Sequence, residues 1–212
     1  MNARQDAMKK RHLPLIGILV SVVLFALSGS YYPGGTSDSP DSAGYDWSRN
    51  FISTLFAPIA LNGAANPARR LAIPAMLVFC ISIGVLFRNI SRKVKSRFHR
   101  KTIEIGGIGT AIYAFLVVTP MHDLLVSIAL LFFLVAVLAT LHLLYVEGHM
   151  GLFYSGITCL TLLLSSAVMY YGHVLFGVLP VAQKLTFAVS VGWLLALHYI
   201  EFRAEAAEHP VA

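Results

Sequence analysis

The chain has 212 residues, of which 57% are hydrophobic and 12% are charged, and its formal net charge is +6. Soluble domains carry about 25% charged residues. This composition, with a mean hydropathy of +0.73, excludes a cytosolic enzyme, a disordered protein and a secreted disulfide scaffold, and it predicts an all-α polytopic membrane protein.

Uncharged stretches locate the transmembrane helices, because a charged side chain at the bilayer centre costs at least about 2.5–3.5 kcal/mol. A helix needs about 20 apolar residues to cross the hydrocarbon core. Stretches that meet both conditions predict a six-transmembrane-helix bundle in a single membrane domain covering residues 1–212, with spans at about residues 13–31, 70–89, 103–120, 124–146, 151–175 and 183–202.

The first span follows the basic segment Lys9-Lys10-Arg11, and this start also resembles a signal peptide with Ala26 and Ser28 as the cleavage pair. Its apolar stretch is longer than a typical signal core. Cleavage would leave five spans, an odd number that disagrees with the charge distribution described below. We therefore interpret residues 13–31 as a transmembrane helix.

The first outer loop, residues 32–69, contains an apolar segment near residues 50–62 that includes Pro58. A segment of only about a dozen apolar residues is too short to span, so we predict a re-entrant or interfacial segment here. Its apolar residues recur at helical spacing, and one face is therefore expected at the lipid boundary. These residues are Phe51, Ile52, Leu55, Phe56 and Ile59.

The Lys and Arg residues predict the orientation, because cytoplasmic segments carry most of the positive charge. Of 16 such residues, four precede the first span, seven lie in the basic loop of residues 88–102, and Arg203 follows the last span. This distribution predicts that both termini are cytoplasmic. Nucleic-acid binding is not expected, because the basic loop has no accompanying nucleic-acid-binding fold.

Polar residues at membrane depth are functional candidates, and one group lies near the outer ends of the spans. Candidate catalytic residues are those that could orient and activate a water or a serine: His122, Asp123, His173 and Ser53. Candidate contacts to an anionic lipid headgroup are Arg49, Asn50, Arg69, Arg70 and Lys184. The structural alternatives are helix capping by Asp123 and headgroup anchoring by Arg69 and Arg70.

The first outer loop is expected to fold back onto the bundle, because Asn50-Phe51-Ile52 is too apolar to remain in water. Arg49, directly before that segment, then needs an anionic partner at the interface. Asp123 is the only carboxylate in the turn between the third and fourth spans. Asp46, three residues before Arg49, is a local alternative that needs no fold-back.

A second polar group is predicted near the inner ends of the spans and comprises Glu104, His142, His198 and Glu201. These residues would form either a proton-responsive cluster or structural pairs near the cytoplasmic interface. Local signatures of metal, haem or phosphate chemistry are missing from the sequence, since it has no HExxH, CxxCH, GxSxG or glycine-rich phosphate loop. We therefore predict no cofactor and no metal site, and we interpret Cys80 and Cys159 as core residues.

The stretch from Tyr32 to Arg70, with YPGG, GYDWSRNFISTLF and NPARRL, resembles the bacterial six-helix membrane family catalogued as domain of unknown function 998. Thr54-Leu55-Phe56 stands where that family more often has Asp-Leu-Gly. The turn from Thr119 to Asp123 is also similar to the family's. The residues that carry the resemblance in the loop are Pro33, Gly34, Gly35, Trp47, Ser48, Arg49, Asn50, Ile52, Ser53, Asn66 and Pro67.

The resemblance implies a six-helix protein of the bacterial inner membrane and assigns no activity to it. We expect an integral membrane protein without a catalytic motif, which binds membrane lipids or serves as an accessory subunit of a membrane complex. One alternative is a membrane-embedded enzyme that acts on a lipid headgroup at the extracytoplasmic face. A second alternative is a small transporter.

Overall fold

The structure, a computed structural model, describes the backbone of residues 2–200 and the side chains of residues 11–200. The described part of the chain is built from six long helices, which confirms the all-α prediction. They are α1 (Asn2–Ser30), α2 (Arg69–Ser91), α3 (Arg97–Leu116), α4 (His122–Val146), α5 (Met150–Tyr171) and α6 (Leu179–Tyr199).

Five of the described helices are long and apolar enough to cross a membrane, namely α2, α4, α5, α6 and the part of α1 from Arg11 onward. Such a set is typical of a multi-pass membrane protein. The third helix, α3, is not among the five. Its first half carries Arg97, Arg100, Lys101 and Glu104, and each of these charges opposes insertion of the surrounding segment.

Three helix boundaries differ from the prediction for local reasons. Helix α3 begins at Arg97, before the predicted residue 103, and the Ser96 side chain caps it by accepting a backbone hydrogen bond from the first turn (3.5 Å). Helix α6 begins at Leu179 rather than residue 183, with Pro180 in its first turn, where the missing N–H needs no partner. Helix α5 ends before the predicted residue 175, because His173 has a φ of +52°, outside the helical region.

The inner half of the bundle is held together by close packing of α3 between α2 and α4. A Cβ atom on Gly107 would lie 2.0 Å from the Phe87 ring of α2, and one on Gly109 would lie 2.3 Å from the Phe132 ring of α4. Only glycine permits this approach, which follows the general use of small residues at helix contacts in membranes. Cys80 and Cys159 are buried free thiols, as predicted for core residues.

A second apolar cluster lies at the outer end, between α1, α2 and the first outer loop. Here residues Ile52–Phe56 form one short 3₁₀ helix. Leu55 and Phe56 are buried against the protein, whereas Ile59 is 54% exposed. The prediction of a re-entrant or interfacial segment near residues 50–62 is therefore not confirmed, because Leu55 and Phe56 pack into this cluster.

Candidate functional site

Asn50 organises the first outer loop. Its side chain is 1% exposed, its Nδ2 donates a hydrogen bond to the Gly35 carbonyl (2.9 Å), and its Oδ1 accepts one from the Asp46 backbone N–H (2.9 Å). One amide therefore satisfies two backbone groups from separate parts of the loop. The structure places this predicted headgroup contact in the interior of the loop rather than at its surface.

Asn66 has a similar role where the loop enters α2. Its Nδ2 donates to the carbonyls of Ala57 (2.8 Å) and Thr54 (3.2 Å), and its Oδ1 accepts a hydrogen bond from the Ala68 backbone N–H (3.2 Å). This side chain closes the turn that carries Pro58 onto the start of α2. Asn66 belongs to the residues of the family resemblance, and its position explains a structural need for an amide there.

The Pro-Gly-Gly sequence lets two stretches of the loop touch. Gly34 and Gly35 have φ values of +138° and +92°, and a Cβ on Gly35 would lie 2.4 Å from the backbone nitrogen of Asn62. The backbone of a residue with a Cβ atom is strained at such φ values, and a Cβ at Gly35 would also clash with Asn62 at this distance. The Tyr32 hydroxyl, buried beside this contact, accepts a hydrogen bond from the Leu61 backbone N–H (3.0 Å).

Lys184 attaches the loop to α6. Its Nζ donates hydrogen bonds to the carbonyls of Asn50 (2.6 Å) and Pro180 (3.0 Å) and lies 6.0 Å from the centre of the Tyr45 ring. Burial raises the pKa of the Tyr45 hydroxyl, which stays protonated and donates to the same Asn50 carbonyl (3.2 Å). The loop therefore folds back onto the bundle as expected, and Lys184 makes the connection. The Lys184 ammonium is hydrogen-bonded to backbone carbonyls of the protein.

Arg49 pairs with Asp46, the local alternative to Asp123. Its Nε lies 3.9 Å from Asp46 Oδ2, and Asp46 Oδ1 accepts hydrogen bonds from the Ser48 hydroxyl (2.6 Å) and the Ser48 backbone N–H (2.8 Å). These hydrogen bonds, with a smaller contribution from the Arg49 charge, hold the pKa of Asp46 below its usual range. Arg49 is thus not paired with Asp123 as expected, because Asp46 lies only three positions before it in the chain and reaches it without any tertiary contact.

Asp123 instead joins α4 to α5. Its Oδ1 accepts a hydrogen bond from the Tyr170 hydroxyl (2.6 Å) and lies 3.0 Å from His122 Nδ1. Among the described residues, neither His173 nor Ser53 hydrogen-bonds to this pair. His173 packs its ring near the ring of Phe176, and Ser53 is half-buried in the 3₁₀ helix. The four candidate catalytic residues are therefore not joined into one constellation in the described structure.

Arg69 and Arg70 line an open groove at the outer end of α2. The groove has a cavity volume of about 680 Å³ and is lined by Pro58, Ala65, Asn66, Pro67, Arg69, Arg70, Ile73 and Pro74. Both arginines are exposed, and no ion pair involves either of them in the part of the chain that the structure describes. Two cations in the first turn oppose the helix dipole, and that turn contains no acidic residue. An anion bound here would relieve this unfavourable arrangement.

The three described members of the predicted inner group, His142, His198 and Glu104, form no hydrogen bond with one another. His142 Nδ1 lies 2.8 Å from Nε2 of His99, and the two rings are stacked. His198 is buried, and its Nε2 lies 2.9 Å from the Arg11 carbonyl. Glu104 is half-buried on α3, and Glu201 lies outside the described residues.

Two basic residues that the sequence analysis did not single out make contacts at the end of the bundle that carries the basic loop. His99 pairs with His142, and Lys93 Nζ donates hydrogen bonds to the carbonyls of His198 and Ile200 (both 2.6 Å). Lys93 thereby ties the loop before α3 to the end of α6. Lys93 entered the sequence analysis only through the distribution of positive charge, and His99, in the first turn of α3, was not singled out there.

Comparison with known proteins adds no relative to this description. No protein family, no curated protein and no solved structure matches the chain. The resemblance of residues 32–70 to domain of unknown function 998 stays a prediction.

Proposed function

We propose that this protein is a bacterial inner-membrane protein with six transmembrane helices that binds the anionic headgroup of a membrane lipid at its outer face. The observation that carries the proposal is the groove at the start of α2, which two exposed arginines line together with apolar residues. A guanidinium can donate two parallel hydrogen bonds to one phosphate.

The sixth span of this proposal is the apolar part of α3, from about residue 103 onward. Its buried glycines bring α3 into close contact with α2 and α4, and both of these neighbours are apolar enough to cross a membrane. A helix packed between two crossing helices is expected to cross with them. The basic residues at its start then lie on the cytoplasmic side, as do both ends of a six-span chain.

The first outer loop supports binding because it is held rigidly beside the groove. Asn66 lines the groove, and its side chain is itself fixed by hydrogen bonds with four backbone groups. Asn50 and Lys184 hold the remainder of the loop against the bundle. A site that is already ordered loses less entropy on binding its ligand.

The geometry favours lipid binding over the enzyme alternative. Hydrolysis of a headgroup by the candidate residues requires a nucleophile or water within reach of an oriented base. His122 and Asp123 are in contact with each other, but Asp123 is used to hold Tyr170. The groove lined by Arg69 and Arg70 carries two positive charges that can bind a phosphate, and none of its lining residues is a predicted catalytic residue.

The proposal is tested by counting phosphatidylglycerol molecules retained by the full-length protein in mild detergent, using native mass spectrometry across a lipid titration. Arg69→Gln and Arg70→Gln are each expected to weaken binding at one site about fivefold, the effect of losing one cation near an anionic surface. Arg49→Gln is the matched control, because Arg49 is also exposed in the outer loop but is paired with Asp46. Equal effects of all three substitutions would refute a site at the groove.

A second candidate function, that of an accessory subunit, rests on α5. Only Gly156 and Cys159 of this helix are buried, while the polar residues Ser155, Thr158 and Thr161 are exposed. Small and polar residues on a lipid-facing surface are typical of contacts between transmembrane helices. Disulfide trapping with cysteine substituted at Thr158 or Thr161 in native membranes would reveal such a partner, and no cross-linked species would count against this role.

A further inference from the structure

A second groove opens between α3 and α4 at the opposite end of the bundle from the first outer loop. It has a cavity volume of about 710 Å³. Arg97 and Lys101 stand at one end of it, and Ile105, Leu131 and Val135 line it farther along. One molecule thus carries a groove that is basic at one end and apolar along its length.

The basic end consists of two residues one helical turn apart. Arg97 and Lys101 are four positions apart on α3, so their side chains lie on the same face of the helix. Both are exposed, and neither takes part in an ion pair within the described residues. The two cations are therefore placed to hold one anionic group between them.

The apolar walls are open rather than covered by the protein. Ile105 and Leu131 are 62% and 61% exposed, and Val135 is 42% exposed. Gly106 and Phe132 line the groove where α3 and α4 lie close together, because a Cβ on Gly106 would lie 2.9 Å from the Phe132 carbonyl oxygen. This close approach leaves the larger side chains on either side as the two walls.

We propose that this groove binds an anionic phospholipid of the cytoplasmic leaflet, with the phosphate between Arg97 and Lys101 and an acyl chain along Ile105, Leu131 and Val135. The choice of leaflet rests on the six-span topology of the proposed function. Basic pockets between transmembrane helices on the cytoplasmic side are suited to anionic headgroups. A free phosphate would use the two cations but would leave the apolar walls without a partner, so the amphipathic shape commits the site to a lipid.

The test measures retention of phosphatidylglycerol by the full-length protein in mild detergent, by native mass spectrometry. The double variant Arg97→Gln/Lys101→Gln is expected to weaken one binding event at least about tenfold. The matched control is Arg88→Gln/Arg92→Gln, which removes the same charge from two exposed arginines that do not line the groove. Equal losses in both double variants would show general attraction to the basic loop and would overturn the proposal.

A third variant examines the apolar walls without changing charge. Leu131→Trp fills the groove from an exposed position, so the fold is expected to persist while lipid retention falls. Phosphatidylcholine and inorganic phosphate serve as alternative probes with the unaltered protein. Retention of phosphatidylcholine as tight as that of phosphatidylglycerol, or displacement of the lipid by millimolar phosphate, would overturn the site as described.

The proposals of the two lipid sites can be refuted independently. Loss of retention in the Arg69 and Arg70 variants alone would leave the proposed function standing and would overturn the inner site. Loss in the Arg97→Gln/Lys101→Gln variant alone would do the reverse. If both sites exist, combining the inner and outer substitutions should remove two binding events, because the two grooves share no lining residue.

Discussion

Replacing Asn50 by alanine should release the first outer loop from the bundle. The substitution removes two hydrogen bonds, to the Gly35 carbonyl and from the Asp46 N–H, at a side chain that is 1% exposed. Each buried backbone group left without a partner costs about 1–3 kcal/mol. The loop should therefore be destabilised by about 2–6 kcal/mol, which raises the population of its open state roughly 30-fold or more.

Hydrogen exchange of the loop amides in detergent measures this opening directly. The Gly35 amide is the best reporter, because it donates to the Ser42 carbonyl (2.8 Å) within the loop and exchanges only when the loop opens. Asn62→Ala is the matched control, since Asn62 is exposed and its side chain accepts a single hydrogen bond, from the Ala64 N–H. That change should alter exchange by less than about tenfold.

The reasoning would be refuted if Asn50→Ala and Asn62→Ala increased Gly35 exchange equally. Such a result would mean that the apolar cluster around Leu55 and Phe56 holds the loop without help from the buried amide. Asn50→Leu separates the two contributions, because leucine fills the space and removes the hydrogen bonds. It should behave like alanine if the hydrogen bonds dominate.

Two further predictions concern the same loop. Gly35→Ala should destabilise it by several kcal/mol, because the new Cβ would lie 2.4 Å from the Asn62 nitrogen, whereas Gly63→Ala adds strain at a φ of +82° but meets no atom within 4 Å; thermal unfolding of both variants compares them. The lowered pKa of Asp46, held down by Ser48, contributes stability that is present above the unfolded value and lost as the pH falls through the folded value. At about pH 5 pepsin should therefore cleave the wild-type loop more slowly than the Asp46→Asn loop, and the ratio of the two rates, which cancels the pH dependence of pepsin itself, should approach one as the pH falls toward about 3; a ratio that does not change with pH would contradict this prediction.

Much of the helical architecture could be predicted from the sequence, because insertion of a segment into a bilayer depends on the length and charge of that segment itself. Helices α2 and α4 lie within a few residues of the predicted spans. The pair of Asp46 and Arg49 was also open to prediction, since it depends on residues three positions apart. α3 is the exception among the predicted spans, because the charges of its first turns conflict with its apolar second half.

The packing of the segment near residues 50–62 could not be predicted from the sequence. The spacing of Leu55 and Phe56 predicts an apolar face, but spacing alone does not say whether lipid or protein covers it. In the structure α1 and α2 supply the covering side chains, including Phe25, whose ring lies 6.2 Å from that of Phe56. Whether lipid or protein covers an apolar face depends on which elements pack beside it.

The sequence by itself determined the membrane class, the helices and the excess of cations at one side, because each follows from local hydrophobicity and charge. Only the tertiary structure decided which polar groups meet. Lys184 reaches the Asn50 carbonyl across 134 residues of chain, and His99 meets His142 across 43. A buried polar group is stabilised by whichever partner the fold brings within about 3 Å, so the partner depends on how the helices pack and not on the spacing of residues along any one of them.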